Sequence, residues 1–163
     1  MPLQVPLDGY KQSENVWIDS SGNQLTYFNW GPGQPNNYNG IKQDYLNMWR
    51  DLFDDEAAWA VKYVICVKCS SYYSIPSNYQ CIDTDFGTVV VKAYNQRYSH
   101  TAATDQCSSD ANYLHLPVPK SATENQWYYT YSQHVGLSHN WLGITDVAVE
   151  GRDLQRIKCL ICF

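Results

Sequence analysis

A chain of 163 residues is long enough to bury a core as one domain, and its formal net charge of −5 argues against a nucleic-acid partner, because phosphate binding wants a basic face. Charged residues make up only 17% and aromatic ones 15%, with 14 Tyr and 6 Trp, which suits a compact exposed or secreted module rather than a disordered or coiled-coil chain. No apolar run reaches the length of a membrane span, and the opening MPLQVPLDGY has neither the basic head nor the apolar centre of a signal peptide.

In chain order, ENVWIDSSGNQLTYFNW (14–30) reads as a short strand, a Ser-Ser-Gly-Asn turn and a second strand of alternating character. The uncharged stretch NWGPGQPNNYNG (29–40) sets a Trp against prolines, glycines and amides and opens a polar loop over 31–44. AWAVKYVIC (58–66) is a β-prone run ending in cysteine, and the Tyr-rich SSYYSIPSNYQ (70–80) sits between Cys69 and Cys81 like a small closed hairpin. FGTVVVKAY (86–94) predicts a buried strand. A helix over 100–111 can start at a Ser99 cap. The helix over 122–135 is better marked: Ser121 and Glu124 form a capping box, Trp127, Tyr131 and Val135 recur at helical spacing, and Gly136 ends it. NWLGITD (140–146) returns to strand, so the elements make an α+β domain.

The six cysteines (66, 69, 81, 107, 159 and 162) admit two readings. Cys66-x-x-Cys69 and Cys159-x-x-Cys162 have the local spacing of a four-thiolate zinc site, but the pairs lie far apart in sequence and two cysteines are left over. A disulfide framework formed in an oxidising compartment fits better.

Four stretches carry a resemblance. LTYFNWGPGQPNN (25–37) resembles the long-loop region of the C-type lectin-like domain, where a strand ending in Asn-Trp precedes a Glu-Pro-Asn or Gln-Pro-Asp triplet. WLGITDVAVEG (141–151) is similar to the family's W-[IL]-G-[IL]-x-D-x-x-x-E-G signature. CSSDANYLHLPVPKSATEN (107–125) is similar to the stretch from its first conserved Cys to the opening of its second helix, and KYVIC (62–66) to its terminal strand with the last conserved Cys. The order is reversed: residues 69–151 match the family's first half and 14–66 its second, so the chain resembles a circularly permuted C-type lectin-like domain. The family's termini lie side by side, which Val67-Lys68 would bridge, and new ends in a surface loop are what permutation tolerates. Halves of two domains completed by a partner chain, or an order scrambled by engineering, are the other readings of this order. Residues 1–13 and 152–163 are added ends that the restored domain does not need.

The resemblance implies a core bridge Cys66–Cys107 and a second bridge, Cys69–Cys81, closing the amino-terminal hairpin of longer members. A further family bridge is lost, Tyr45 and Ala58 standing where its cysteines belong. Cys159 and Cys162 fall in the added tail, where pairing with each other, bridging a homodimer and remaining as thiols all stay open.

The resemblance also implies a function, that of a secreted carbohydrate-binding lectin with no catalysis. Calcium takes six to eight oxygens at about 2.3–2.6 Å, and in the family a cis bond before the triplet proline turns both flanking side chains towards one ion. Gln34 and Asn36 occupy the triplet's ligand positions, Gln43 stands near the loop glutamate, and Asp54 and Asp55 lie at the W-N-D position. An auxiliary calcium site would draw on Asn37, Asp44, Asp146 and Glu150. Two carboxylates stand where the mannose-type pattern has three, so a weak or unfilled site is expected, and Gln-Pro-Asn matches neither the mannose/GlcNAc nor the galactose/GalNAc triplet. The alternative keeps the fold and binds sugar or protein by direct contacts without calcium, with Tyr38, Trp49 and Trp59 as rings near the loop that could stack on a sugar face. A third class, a zinc- or redox-active protein, would use the two C-x-x-C pairs. No G-x-S-x-G, H-E-x-x-H or phosphate loop supports catalysis, and His100, His115, His134 and His139 show no metal or triad spacing.

Overall fold

The structure, a computed structural model, describes residues 16–19, 21–69, 75–111 and 114–145. Among the described residues seven strands form one mixed sheet: β1 (Ile18–Asp19), β2 (Tyr45–Trp49), β3 (Leu52–Glu56), β4 (Lys62–Cys69), β5 (Gln80–Thr84), β6 (Gly87–Tyr98) and β7 (His139–Thr145). Two helices accompany it, α1 (His100–Asp110) and α2 (Ala122–His134). The strand order is β3-β2-β7-β4-β6-β5, with β1 also on β7; β4 and β7 pair in parallel and the other pairs are antiparallel. Leading and trailing segments are therefore interleaved within one chain, β7 lying between β2 and β4.

Alternation along the strands sorts the core into two faces. Ile65 and Val67 of β4 join Leu142 and Ile144 of β7 against Tyr128 and Tyr131 of α2. Val64 and Cys66 join Trp141 against Ala103 and Cys107 of α1. The helices thus cover opposite faces, and the expected Cys66–Cys107 disulfide is present, both residues fully buried, fastening β4 to α1 with a Cα–Cα distance of 5.2 Å. With Cys66 so engaged, the four-thiolate zinc arrangement lacks a ligand.

The Cys69–Cys81 bridge is a correction. Cys81 is a free, exposed thiol. Cys69 pairs with Val89 on one side of β6 and Cys81 with Val90 on the other, so a whole strand separates them. Two strand spacings are about 9.5–10 Å, beyond the roughly 4.4–6.8 Å that a disulfide spans between Cα atoms. The hairpin expected over 70–80 lies partly outside the described residues; the one observed is β5–β6, turning at Asp85-Phe86 with Gly87 at φ 119°. Cys159, Cys162 and the added ends 1–13 and 152–163 also lie outside the described residues.

Both helices start at the expected caps. The Ser99 Oγ accepts from the Ala102 N–H at 3.4 Å and the Ser121 Oγ from the Glu124 N–H at 3.2 Å. Glu124 reaches back one residue beyond the cap, to the Lys120 N–H at 2.8 Å. At the far end Gly136 takes φ 76°, which lets Gly136 N–H bond the Gln133 carbonyl and Leu137 N–H the Ser132 carbonyl, a Schellman stop.

The amino-terminal pair of strands is only partly realised. Ile18–Asp19 is a strand and bridges Gln24, while the Asp19 carboxylate accepts from the Ser21 and Asn23 N–H groups and shapes the turn between them. Residues 25–30 then pack by side chains, with Leu25, Tyr27, Phe28 and Trp30 against the core and a single bridge from Trp30 to Phe53. The β2–β3 hairpin that receives them turns at Arg50-Asp51, Arg50 at φ 59°. Gly143 explains one fixed feature of the WLGIT run: segment 114–118 crosses it so closely that a Cβ there would lie 2.9 Å from the Leu116 carbonyl oxygen.

Candidate binding site

The 31–44 loop enters β2, whose partner strand β3 carries both nominated aspartates. Phe53 and Asp55 are buried while Leu52, Asp54 and Glu56 are half-buried, the alternation of a strand with one face inward. Asp55 is 1% exposed and its carboxylate receives the loop backbone: the Asn36 N–H lies 2.9 and 3.1 Å from its two oxygens and the Asn37 N–H 2.9 Å from one of them. A second tie crosses the loop, where the Gln43 Oε1 accepts from the Tyr38 N–H at 2.6 Å and the Asn37 Oδ1 accepts from the Gln43 N–H at 3.1 Å.

These bonds explain much of the loop's composition. Gly33, Asn37, Asn39 and Gly40 all take positive φ, a region in which glycine and asparagine are the residues at least cost. The Gln34–Pro35 bond is cis, as the resemblance implied. Gln34 is half-buried, and its Oε1 is buried without a hydrogen-bond partner, whereas Asn36 is exposed.

The structure brings the nominated residues together unequally. Asp55, Asn36, Asn37 and Gln43 share the network just described. Asp54 instead meets Asn47 on β2, whose Nδ2 donates to the Asp54 carboxylate at 3.3 Å and to its carbonyl at 3.1 Å. Burial pushes the Asp54 carboxyl above its ordinary value; the Asn47 bond opposes that, and Glu56 and Asp55 add to it. Of the auxiliary calcium set, Asp44 is buried and paired with Lys42, Asn37 is spent as above, and Asp146 and Glu150 lie outside the described residues. Within the nominated primary set, Asp55 and Gln43 already accept backbone N–H groups, while the Gln34 Oε1 is buried with no partner and the Asn36 amide is exposed, so only part of a shell of six to eight oxygens is uncommitted.

Exposed rings lie around this end of the hairpin. Tyr38 at 64% and Ile41 at 42% exposure sit at the loop tip, and Trp59 at 73% sits in the turn after β3, whose last residue Glu56 pairs with Tyr45 at the loop's end. Trp49 lies at the opposite end of the hairpin, stacked on His139 with Arg50 over its ring. Of the three rings named from the sequence, Tyr38 and Trp59 flank the loop and Trp49 does not.

Sequence reasoning missed a second polar cluster. Asp110 at the end of α1 accepts from the phenols of Tyr79 and Tyr94 and from the Lys92 ammonium, which also lies over both rings. Burial alone would raise the Asp110 carboxyl, but Tyr94, Tyr79 and Lys92 outweigh it and hold it below its ordinary value. Burial and the Asp110 carboxylate push the Tyr79 phenol well above its ordinary range. The only local signal was Lys92 and Tyr94 at strand spacing on one face of β6.

His100 is buried against Trp141 and Tyr45, with its Nε2 2.9 Å from the Leu142 carbonyl; burial lowers its pKa to about 4. None of the described helices is long and apolar enough to cross a membrane. Comparison with known proteins returns no matching family model, no matching curated protein and no matching solved structure.

Proposed function

We propose that this chain is a non-enzymatic carbohydrate-binding module of C-type lectin-like architecture in permuted order, which meets sugar through the rim of the 31–44 loop. The observation that carries this reading is the anchoring of the loop: its exposed amide rim is held from beneath by the buried Asp55 carboxylate and across its width by Gln43. A rim fixed before the ligand arrives loses little ordering entropy on binding, which matters for a ligand as solvated as a sugar. Each amide offers a neighbouring hydroxyl pair both a donor and an acceptor, and an exposed ring such as Tyr38 or Trp59 covers the apolar face of a pyranose.

Three features support the architecture: the interleaved sheet, the disulfide at the expected pair, and helices beginning at both expected caps. A disulfide between two buried cysteines suits the oxidising conditions of a secreted protein. Direct contact is favoured over calcium bridging because two of the groups that would ligate the ion, Asp55 and Gln43, already hold the loop in shape. The unpartnered Gln34 Oε1 and the uncommitted Asn36 amide are the groups of the set that favour the calcium reading.

A glycan array probed with the full chain, with and without EDTA, tests both. Signal that persists in EDTA and disappears in Asn36→Ala supports direct contact. Signal lost on chelation and restored by added calcium moves the reading to a metal-bridged lectin. A folded chain that binds no glycan in either condition removes the proposal.

A further inference from the structure

A groove of about 570 Å³ lies between the β5–β6 turn and the outer side of α2, within the roughly 300–1,000 Å³ range of small-molecule sites. It shares no residue with the 31–44 loop. Its lining is aromatic at Trp127 and Phe86, whose rings meet perpendicular at 5.9 Å and 85°, and Trp127 also stacks on Tyr131 at 5.5 Å and 11°. These contacts hold the indole in place, so the part of it that lines the groove offers a ligand an apolar surface already ordered. The rim is polar and exposed, made of Asp85, Thr123, Gln126 and Thr130. Thr130 donates to the Gln126 carbonyl at 2.9 Å, and the Gln126 Nε2 lies 3.4 Å from the Thr130 hydroxyl, an arrangement that leaves the Gln126 Oε1 available as an acceptor.

Charge narrows the ligand class. Among the described residues no lysine or arginine lines the groove, while one carboxylate does, so an anion finds no counter-charge in that lining and meets repulsion from Asp85. A ligand that fits has one apolar face for Trp127 and neutral hydroxyls at its edge to donate to Asp85 and Gln126. We propose that this groove is a second saccharide subsite, for an uncharged pyranose stacked on Trp127 with its hydroxyls on Asp85 and Gln126. The inference stands independently of the loop, because it rests on a different set of side chains.

The test is a heteronuclear NMR titration of the full chain with methyl α-mannoside, methyl β-galactoside and inorganic sulfate, following the Trp127 indole N–H and the Gln126 side-chain amide. Saturable shifts of both signals with at least one glycoside, and none with sulfate, are expected. Removing one charged acceptor with Asp85→Asn weakens that binding about tenfold. Trp127 also packs on the core, so Trp127→Phe is paired with the exposed Gln126→Ala, which weakens binding without touching the fold. The loop variant Asn36→Ala leaves these shifts unchanged. No saturable shift with either glycoside overturns the proposal, as does equal response to sulfate, or binding that Asn36→Ala abolishes and Asp85→Asn leaves intact.

Discussion

Replacing Asp55 by alanine removes the acceptor for two loop N–H groups at a position only 1% exposed. Hydrogen bonds to a charged group contribute about 1.5–3 kcal/mol each, so the two together stabilise the native state by roughly 3–6 kcal/mol before compensation. Residues 36 and 37 are exposed, so water re-enters and satisfies both N–H groups in part once the carboxylate is gone. The buried carboxylate's own desolvation cost also disappears with it. A net loss of about 3 kcal/mol remains, a large share of the roughly 5–15 kcal/mol that holds a domain together. For a chain of this length that loss lowers the melting temperature by about 6–12 °C. Urea titration measures the loss, and hydrogen exchange locates it: the Asn36 and Asn37 amides lose protection far more than Val64 in the core. Asp54→Asn on the same strand is the control. It removes a half-buried charge whose carboxyl burial already disfavours, keeps a partner for Asn47, and changes stability by less than about 1 kcal/mol. A loss below about 1 kcal/mol in Asp55→Ala, with both amides still protected, would refute the anchoring on which the proposed function rests.

The double variant Cys66→Ala/Cys107→Ala releases a loop with a sequence separation of 41 and loses about 4 kcal/mol by the chain-entropy relation, read as a shifted guanidinium midpoint; peptide mapping after native alkylation labels Cys81 and leaves Cys66 and Cys107 unlabelled. His100 has a folded pKa of about 4 against an ordinary 6.5, so the unfolded chain takes up its proton first as pH falls. The stability it contributes is complete above about pH 6.5 and declines by about 3 kcal/mol on the way to pH 4; His100→Gln flattens urea midpoints across that window. Asn39 takes φ 55°, so Asn39→Gly leaves the thermal midpoint within a degree or two while Asn39→Val costs about 1–2 kcal/mol by calorimetry.

What was legible in the sequence was what local chemistry determines. Ser99, the Ser121–Glu124 pair and Gly136 mark helix ends through bonds made within a few residues, and both helices begin where those marks stand. β4, β6 and β7 were legible because their runs of Val, Ile and Leu are buried against a helix on either face. β2 and β3 were not, because Asn47, Asp54, Asp55 and Glu56 read as loop and gain their place only from partners elsewhere. Glu56 pairs with Lys62 at 2.6 Å, and Asp55 is held by residues 18 and 19 positions away. The Asp110 cluster gathers side chains separated by 16, 18 and 31 positions, beyond any local pattern. The resemblance failed at Cys69 and Cys81 for a related reason: a pairing carried over by motif says nothing of the strand that comes between two partners here.

The loop shows how one residue type can answer to two different demands. Asparagine at 37 and 39 is accounted for by left-handed backbone, and at 37 also by the bond its side chain accepts from Gln43. Gln43 is accounted for by the Tyr38 N–H that it receives. Neither explanation reaches Gln34 or Asn36, which have no positive φ and whose side chains hold no other part of the loop. Asn36 is tied only through its backbone, so its amide stands in solvent over a carboxylate that has fixed the main chain beneath it. The resemblance nominated Gln34, Asn36 and Gln43 in this loop as ligands; dihedrals and hydrogen bonds leave the two residues flanking Pro35 without another role in its shape. The exposed Asn36 amide on its immobilised backbone makes no other bond among the described residues, which is why the proposed sugar contact is put at that point of the rim rather than on the loop at large.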